Sequence, residues 1–109
     1  MTPRRMAAKT LKRLRQQLPT LFPVKLFWVP DLKGDLADCD LKDFRKDRPY
    51  FVIRMSHLDH DSAHLAWHSV VHEYAHALSW TRVHRNLKDH GPLFGAAYSL
   101  CYMATEGRY

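Results

Sequence analysis

The sequence predicts an α+β fold with an N-terminal helix, a small three-stranded sheet of antiparallel type, a long central helix and a C-terminal helix. Three observations lead to this prediction. Apolar residues recur at helical spacing near the N-terminus, three short stretches between residues 24 and 55 resemble strands, and two further helical patterns fill residues 62–105. No linker or internal repeat divides the 109 residues, so residues 1–109 are expected to form a single domain.

The first helix is predicted over residues 3–18. Thr2 and Pro3 suit the N-cap and the first helical position, and Pro19 ends the run. The apolar positions recur at spacings of four, three and four, which places them along one stripe: Ala7, Leu11, Leu14 and Leu18. The opposite face is basic and carries Arg4, Arg5, Lys9, Lys12, Arg13 and Arg15.

Three strands are predicted to follow this helix. Residues 24–29 read Val-Lys-Leu-Phe-Trp-Val and lie between two prolines, as expected of a short strand. Apolar and charged residues alternate over 37–42, which is typical of a strand with one buried face. Residues 50–55 are rich in aromatic and β-branched side chains, and Pro49 stands at the start, where its missing N–H is tolerated.

Two helices are predicted in the second half of the chain. The first runs over about residues 62–80, with Asp61 or Ser62 available as its N-cap, and has an apolar face made of Trp67, Val71, Tyr74, Ala75 and Leu78. Residues 81–90 are polar and basic and are predicted to be a loop. Gly91-Pro92 then opens a last helix to about residue 105, with Phe94, Ala97, Tyr98 and Cys101 on one face.

The net charge indicates which partners the protein can bind, and the cysteines indicate its cellular compartment. The chain has 17 Lys and Arg against 11 Asp and Glu, which favours anionic partners, nucleic acid first, although a solvated basic surface is the alternative. Cys39 and Cys101 match no zinc ribbon or redox spacing. The sequence shows no secretory leader and no apolar run long enough to span a bilayer. We therefore expect a cytoplasmic protein that has reduced thiols and no membrane partner.

The strongest chemical signal is His72-Glu73-Tyr74-Ala75-His76, an H-E-x-x-H motif within the predicted central helix. Histidines four residues apart lie on one face of a helix, so both imidazoles can reach one metal ion. Glu73 is rotated by about 100° from His72 and stands beside such an ion, where a general base is needed. Histidines also recur every four residues from His64, so His68 with His72 is an alternative pair, but it has no glutamate after its first member.

A catalytic zinc ion needs a third protein ligand and one open position. His90 is the best candidate, because it lies fourteen residues after His76, just before the turn into the last helix. His84, Asp89 and Glu106 remain alternatives.

These residues resemble a known family. The motif at residues 72–76, followed by Asp89-His90-Gly91-Pro92-Leu93-Phe94, resembles the SprT-like zinc metallopeptidases, which pair H-E-x-x-H with a downstream H-G-x-x-F segment. The resemblance implies a zincin fold in minimal form, one zinc ion per chain held by His72, His76 and His90, and Glu73 as the catalytic acid and base. The zinc ribbon and DNA-binding tail of larger members have no counterpart here. The compact form suits a bacterial or phage protein.

Further candidate residues lie outside the motif. Trp80 is near the Glu73 side of its helix and is a candidate wall of a substrate cleft, although core packing is an equal alternative. Tyr50, Arg54 and Tyr98 are candidates for stabilising an oxyanion.

The sequence therefore predicts a zinc metalloendopeptidase that cleaves protein or peptide substrates through a zinc-bound water activated by Glu73. The alternative is a non-catalytic module, stabilised by zinc, that binds nucleic acid weakly and without sequence preference. Its contacts would be Arg5, Lys9, Lys12 and Arg13. Three ligands with one open position favour the enzyme, and a closed shell of four ligands favours the module.

Overall fold

The computed structural model describes residues 1–106 and confirms the α+β fold class. Each helix and strand lies within about one residue of its predicted position. No helix in the described residues combines the length and apolar character that a membrane span requires. The elements in chain order are α1 (Pro3–Gln17), β1 (Val24–Val29), β2 (Ala37–Lys42), β3 (Tyr50–Ser56), α2 (Ala63–Ser79) and α3 (Pro92–Thr105).

The starts of α1 and α2 are set by side chains that cap them. The Thr2 hydroxyl accepts a hydrogen bond from the Arg5 backbone N–H at 3.2 Å, and Ser62 does the same for Leu65 at 3.1 Å. Each cap satisfies a backbone N–H that has no partner inside the helix, which stabilises the helix by about 1 kcal/mol. Ser62, rather than Asp61, is therefore the cap of the central helix.

The sheet has the order β1-β3-β2, and its pairing differs in part from the prediction. β2 is antiparallel to β3, but β1 is parallel to β3, so the sheet is mixed rather than antiparallel. The chain reverses twice between β1 and β3, so β3 runs in the same direction as β1 when it inserts beside it. β3 takes the centre because it is the most apolar strand, with Phe51, Ile53 and Met55 fully buried.

The core lies between one face of the sheet and α2, and α1 and α3 pack against α2. Tyr74 of α2 donates its hydroxyl to the Leu18 carbonyl at 2.6 Å, which ties α2 to the end of α1. Trp67 donates its indole N–H to the Thr105 hydroxyl at 2.9 Å, which ties α2 to the end of α3. The first contact thus holds α1 against α2, and the second holds the end of α3 against α2.

Candidate metal centre

Three histidines converge beside α2. His72 and His76 lie one turn apart on the helix, with ring centroids 5.1 Å apart, and His90 comes from the α2–α3 loop. The His90 ring lies 5.3 Å from that of His72 and 4.7 Å from that of His76. One ligand atom from each side chain lies within 4.8 Å of the other two, which is close enough for the three to hold a metal ion.

The electrostatics of the cluster fit a cation. Burial, followed by the neighbouring histidines, lowers the pKa of His76 to about 4 and also lowers the pKa of His72. Both imidazoles are therefore neutral at pH 7, which is the form that binds metals. Among the described residues, His76 Nδ1 is the one buried side-chain nitrogen or oxygen that lacks a hydrogen-bond partner. Such an atom is costly unless something else contacts it, so the donor set fits a metal ion.

The loop that presents His90 is held by short-range hydrogen bonds. The Thr81 N–H donates to the His84 carbonyl at 2.9 Å, and the His84 N–H donates to the Thr81 hydroxyl at 2.8 Å. Asp89 accepts from the Gly91 N–H at 2.8 Å and lies 3.2 Å from the His84 ring nitrogen. A Cβ atom at Gly91 would sit 3.0 Å from the Asp89 carboxylate, so a larger residue there would require a small shift of that carboxylate.

The alternative third ligands are not part of this cluster. His84 and Asp89 contact each other, and Glu106 is exposed at the C-cap of α3. Within residues 1–106 the cluster of potential ligands contains only His72, His76 and His90. His64 and His68 also stay outside the cluster, which favours the pair His72 and His76 over His68 and His72.

Phe94 supports the cluster and was not recognised as part of the site from the sequence. Its ring centroid lies 4.4 Å from that of His76, 4.8 Å from His90 and 5.1 Å from His72. The first turn of α3 therefore places an aromatic ring against all three imidazoles and restricts their rotation. The signal was present in the sequence, because Phe94 is the last residue of the H-G-x-x-F segment.

Glu73 directly follows His72 in α2, and its buried carboxyl group has an unusual protonation equilibrium. Its side chain is 8% exposed, and no described residue donates a hydrogen bond to its carboxylate. Burial, with the charges of Asp38 and Asp35 as smaller causes, raises the pKa of Glu73 to about 7. A carboxylate with a pKa near neutrality can both accept and return a proton at physiological pH.

We expect Glu73→Gln to stabilise the metal-free protein at alkaline pH. The folded-state pKa of about 7 exceeds the ordinary value of 4.5, so folding favours the protonated acid and stability is lost as pH rises between these values. The variant should gain about 3 kcal/mol in free energy of unfolding at pH 8 and about 1 kcal/mol or less at pH 5. Urea unfolding in the presence of a chelator measures both, with Glu106→Gln, at an exposed site, as the control. An equal gain at the two pH values would show that the Glu73 carboxyl is not perturbed.

The four residues predicted for the cleft or oxyanion have different positions. Tyr98 lies beside the cluster: its ring centroid is 6.2 Å from that of His72, and its hydroxyl is 3.4 Å from His68 Nε2. Trp80 is 4% exposed and packs on Phe22 and other aromatic rings of the core, although one side also lines a cavity next to β2.

Tyr50 and Arg54 do not join the cluster. Alternation along β3 places them on the face of the sheet opposite the buried residues that pack towards α2. Arg54 forms a two-pronged ion pair with Asp38 of β2, and the Tyr50 ring lies 4.0 Å from the Lys25 ammonium. Both side chains are thus engaged on the outer face of the sheet, away from the position where an oxyanion donor is needed.

Comparison of the chain with protein-family models, with curated proteins and with solved structures gave no match. The resemblance to the SprT-like family therefore rests on residues 72–76 and 89–94 and stays a prediction. The chemistry of the site has to be inferred from its own geometry.

Proposed function

We propose that this chain is a zinc-dependent endopeptidase of the SprT-like type. The observation that carries the proposal is the convergence of His72, His76 and His90, together with the buried carboxyl group of Glu73, which directly follows His72 in α2. A site that served only to hold the fold together would have no need of an acid with a pKa near 7 next to its ligands.

Zinc is the metal that this donor set suits best. Three neutral imidazoles with an open fourth position are a common arrangement for catalytic zinc. Two nitrogens bound to a tetrahedral zinc ion at roughly 2.0–2.1 Å would lie about 3.3 Å apart. The Nε2 atoms of His72 and His90 are 3.3 Å apart.

The proposed reaction is hydrolysis of a peptide bond. Bound zinc would supply Lewis acidity to the scissile carbonyl and to the attacking water. Glu73 would accept the proton of that water and then deliver it to the nitrogen of the leaving amine. Tyr98 is the proposed hydrogen-bond donor to the developing oxyanion, because its hydroxyl lies on the same side of α2 as His68 and His72.

Hydrolysis of an unfolded protein substrate tests this proposal. We expect the zinc-loaded protein to produce new peptide termini, to stop when a chelator removes the metal, and to recover when zinc is restored. Mass spectrometry of the products measures the cleavage. Cleavage that persists at full rate in the chelator, or no cleavage of several unfolded substrates, would contradict the proposal.

The second candidate function is binding of nucleic acid through α1. None of the ion pairs within residues 1–106 involves the basic residues of α1. Arg4 contacts His57 and the Trp28 ring, and Arg15 donates to the Val24 carbonyl. Within residues 1–106, the cations of α1 whose side chains make no hydrogen bond or ion pair at all are the four predicted ones: Arg5, Lys9, Lys12 and Arg13.

We expect this contact to be weak, independent of sequence and steeply dependent on salt, because phosphates would be its main partners. Titration of labelled single- and double-stranded DNA at low and moderate salt measures it. A variant in which Arg5, Lys9, Lys12 and Arg13 are all replaced by glutamate should no longer bind DNA. If this variant binds like the wild type, or if the wild type does not bind at low salt, α1 has no such role.

A reducing compartment, which we propose to be the cytoplasm, agrees with the cysteines. Cys39 and Cys101 are both free, and burial raises the pKa of both thiols, that of Cys101 to about 12. Such thiols are largely protonated and react slowly with oxidants.

A further inference from the structure

A cavity of about 340 Å³ lies between β2 and the α2–α3 loop. Its apolar lining comes from both sides, with Leu41 and Phe44 from the β2 side and Trp80 and Leu87 from the other. Arg85 and Lys88 also line it and are exposed. An apolar surface bordered by cations can hold a ligand that has both apolar and acidic groups.

Both walls of this cavity belong to, or pack against, the elements that carry the candidate metal centre. Lys88 stands two residues before His90 on the same loop. On the other side, α2, which carries Glu73, packs directly against β2. A chain segment bound at the cavity would therefore be close to the groups proposed to cleave it.

The cations at the cavity are not neutralised within the described residues. The ion pairs there include neither Arg85 nor Lys88, whereas Asp40, the acidic residue of the lining, pairs with Lys42 at 3.0 Å. Arg85 is held in place, because its guanidinium lies 5.1 Å from the Phe44 ring centre and its Nε donates to the Arg82 carbonyl at 2.7 Å. A preoriented guanidinium can form paired hydrogen bonds to a carboxylate.

The positive surface continues past Phe44. A second cavity of about 600 Å³ on that side is lined by three further cations, with Asp47 as the acidic residue of its lining: Lys46, Arg48 and Arg82. The Arg82 guanidinium lies 5.3 Å from the Phe22 ring centre and 6.0 Å from that of Phe44. The two cavities share Phe44 in their linings, and together they are lined by five cations, of which Lys46 pairs with Asp43 at 3.6 Å.

An extended peptide also finds backbone partners here. Within residues 1–106, β2 is an edge strand, because it has β3 on one side and no strand on the other. Its outer C=O groups, and its outer N–H groups apart from that of Leu41, which donates to Asp40 Oδ1 at 2.8 Å, can pair with a peptide that adds a fourth strand. Nucleic acid does not use a strand edge in this way, so the edge favours a peptide as the occupant.

We propose that the surface formed by β2 and the α2–α3 loop selects acidic peptide segments as substrates. Acidic side chains contact Arg85 and Lys88, and an apolar side chain packs on Phe44 and Trp80. This inference rests on the proposed peptidase function, since it names the substrate class of the same site.

Binding of two labelled peptides tests the inference. Both are extended and share leucines, but one carries glutamates where the other carries lysines. Fluorescence polarisation with the Glu73→Gln protein measures affinity without cleavage. We expect the acidic peptide to bind at least about tenfold more tightly, and Lys88→Glu and Arg85→Glu/Lys88→Glu each to remove most of that preference. Lys25→Glu/Lys33→Glu, at two exposed residues that line neither cavity, makes the same change in net charge as the double variant and should preserve the preference.

Equal affinity for the two peptides would overturn the inference, as would an equal loss of preference in the Lys25→Glu/Lys33→Glu control. A labelled single-stranded oligonucleotide is included as a third ligand. If the Arg85→Glu/Lys88→Glu variant loses the oligonucleotide and keeps the acidic peptide, the surface serves nucleic acid and the inference is wrong. Failure of the proposed function gives a different result, namely a retained binding preference with no cleavage of either peptide by the wild type.

Discussion

Glu73→Gln is expected to keep zinc and the native fold and to lose peptide hydrolysis by a factor of roughly 10² to 10⁴. The amide preserves the shape of the side chain but cannot accept the proton of the attacking water. Because Glu73 is one residue from His72 without being part of the histidine cluster, metal affinity should change little. Initial cleavage rates on the same unfolded substrate, with zinc content measured on the same samples, give both quantities.

The matched control for this prediction is Glu106→Gln, which makes the same chemical change on an exposed side chain at the end of α3. It should cleave at the wild-type rate. Hydrolysis by Glu73→Gln at the wild-type rate would rule out the proposed acid and base, whatever the metal content.

His90→Ala is expected to weaken zinc binding far more than His84→Ala. Removal of one of three ligands should cost on the order of 3 kcal/mol, or about a hundredfold in affinity. His84 acts only through Asp89, which in turn holds the turn at Gly91, so its loss should cost at most about tenfold. Competition with a chromogenic chelator measures the two dissociation constants.

Thermal unfolding of the metal-free variants shows whether either substitution damages the fold, and the affinities are compared only between folded proteins. Equal losses of affinity would contradict the assignment of His90 as a ligand. They would indicate that the α2–α3 loop acts as a unit or that His84 contacts the metal.

Much of the fold could be predicted because its signals are local. The stripe of α1 and the alternation along β2 each depend on residues a few positions apart. The parallel pairing of β1 with β3 is different, since it depends on which strand takes the centre of the sheet. That choice is made by burial against α2, far away in the sequence.

In the candidate site, too, some features follow from local sequence and others depend on distant contacts. Helical spacing alone brings His72 and His76 together, and the position of His90 before a glycine turn suggested its return to the site. The contact between His84 and Asp89 depends on the path of an irregular loop, which local patterns do not determine. The position of Tyr50 and Arg54 on the outer face of the sheet, however, could have been predicted from the sequence. Phe51, Ile53 and Met55, which alternate with them along β3, are apolar and therefore face the core.

The metal content and coordination of the purified wild-type protein test the central claim most directly. Elemental analysis after dialysis, followed by X-ray absorption at the zinc edge, measures both. We predict about one zinc ion per chain, with three imidazole nitrogens at roughly 2.0–2.1 Å and a fourth, exchangeable oxygen ligand. A protein that takes up no zinc would contradict the account, and a closed shell of four protein ligands would assign the ion to a structural module instead.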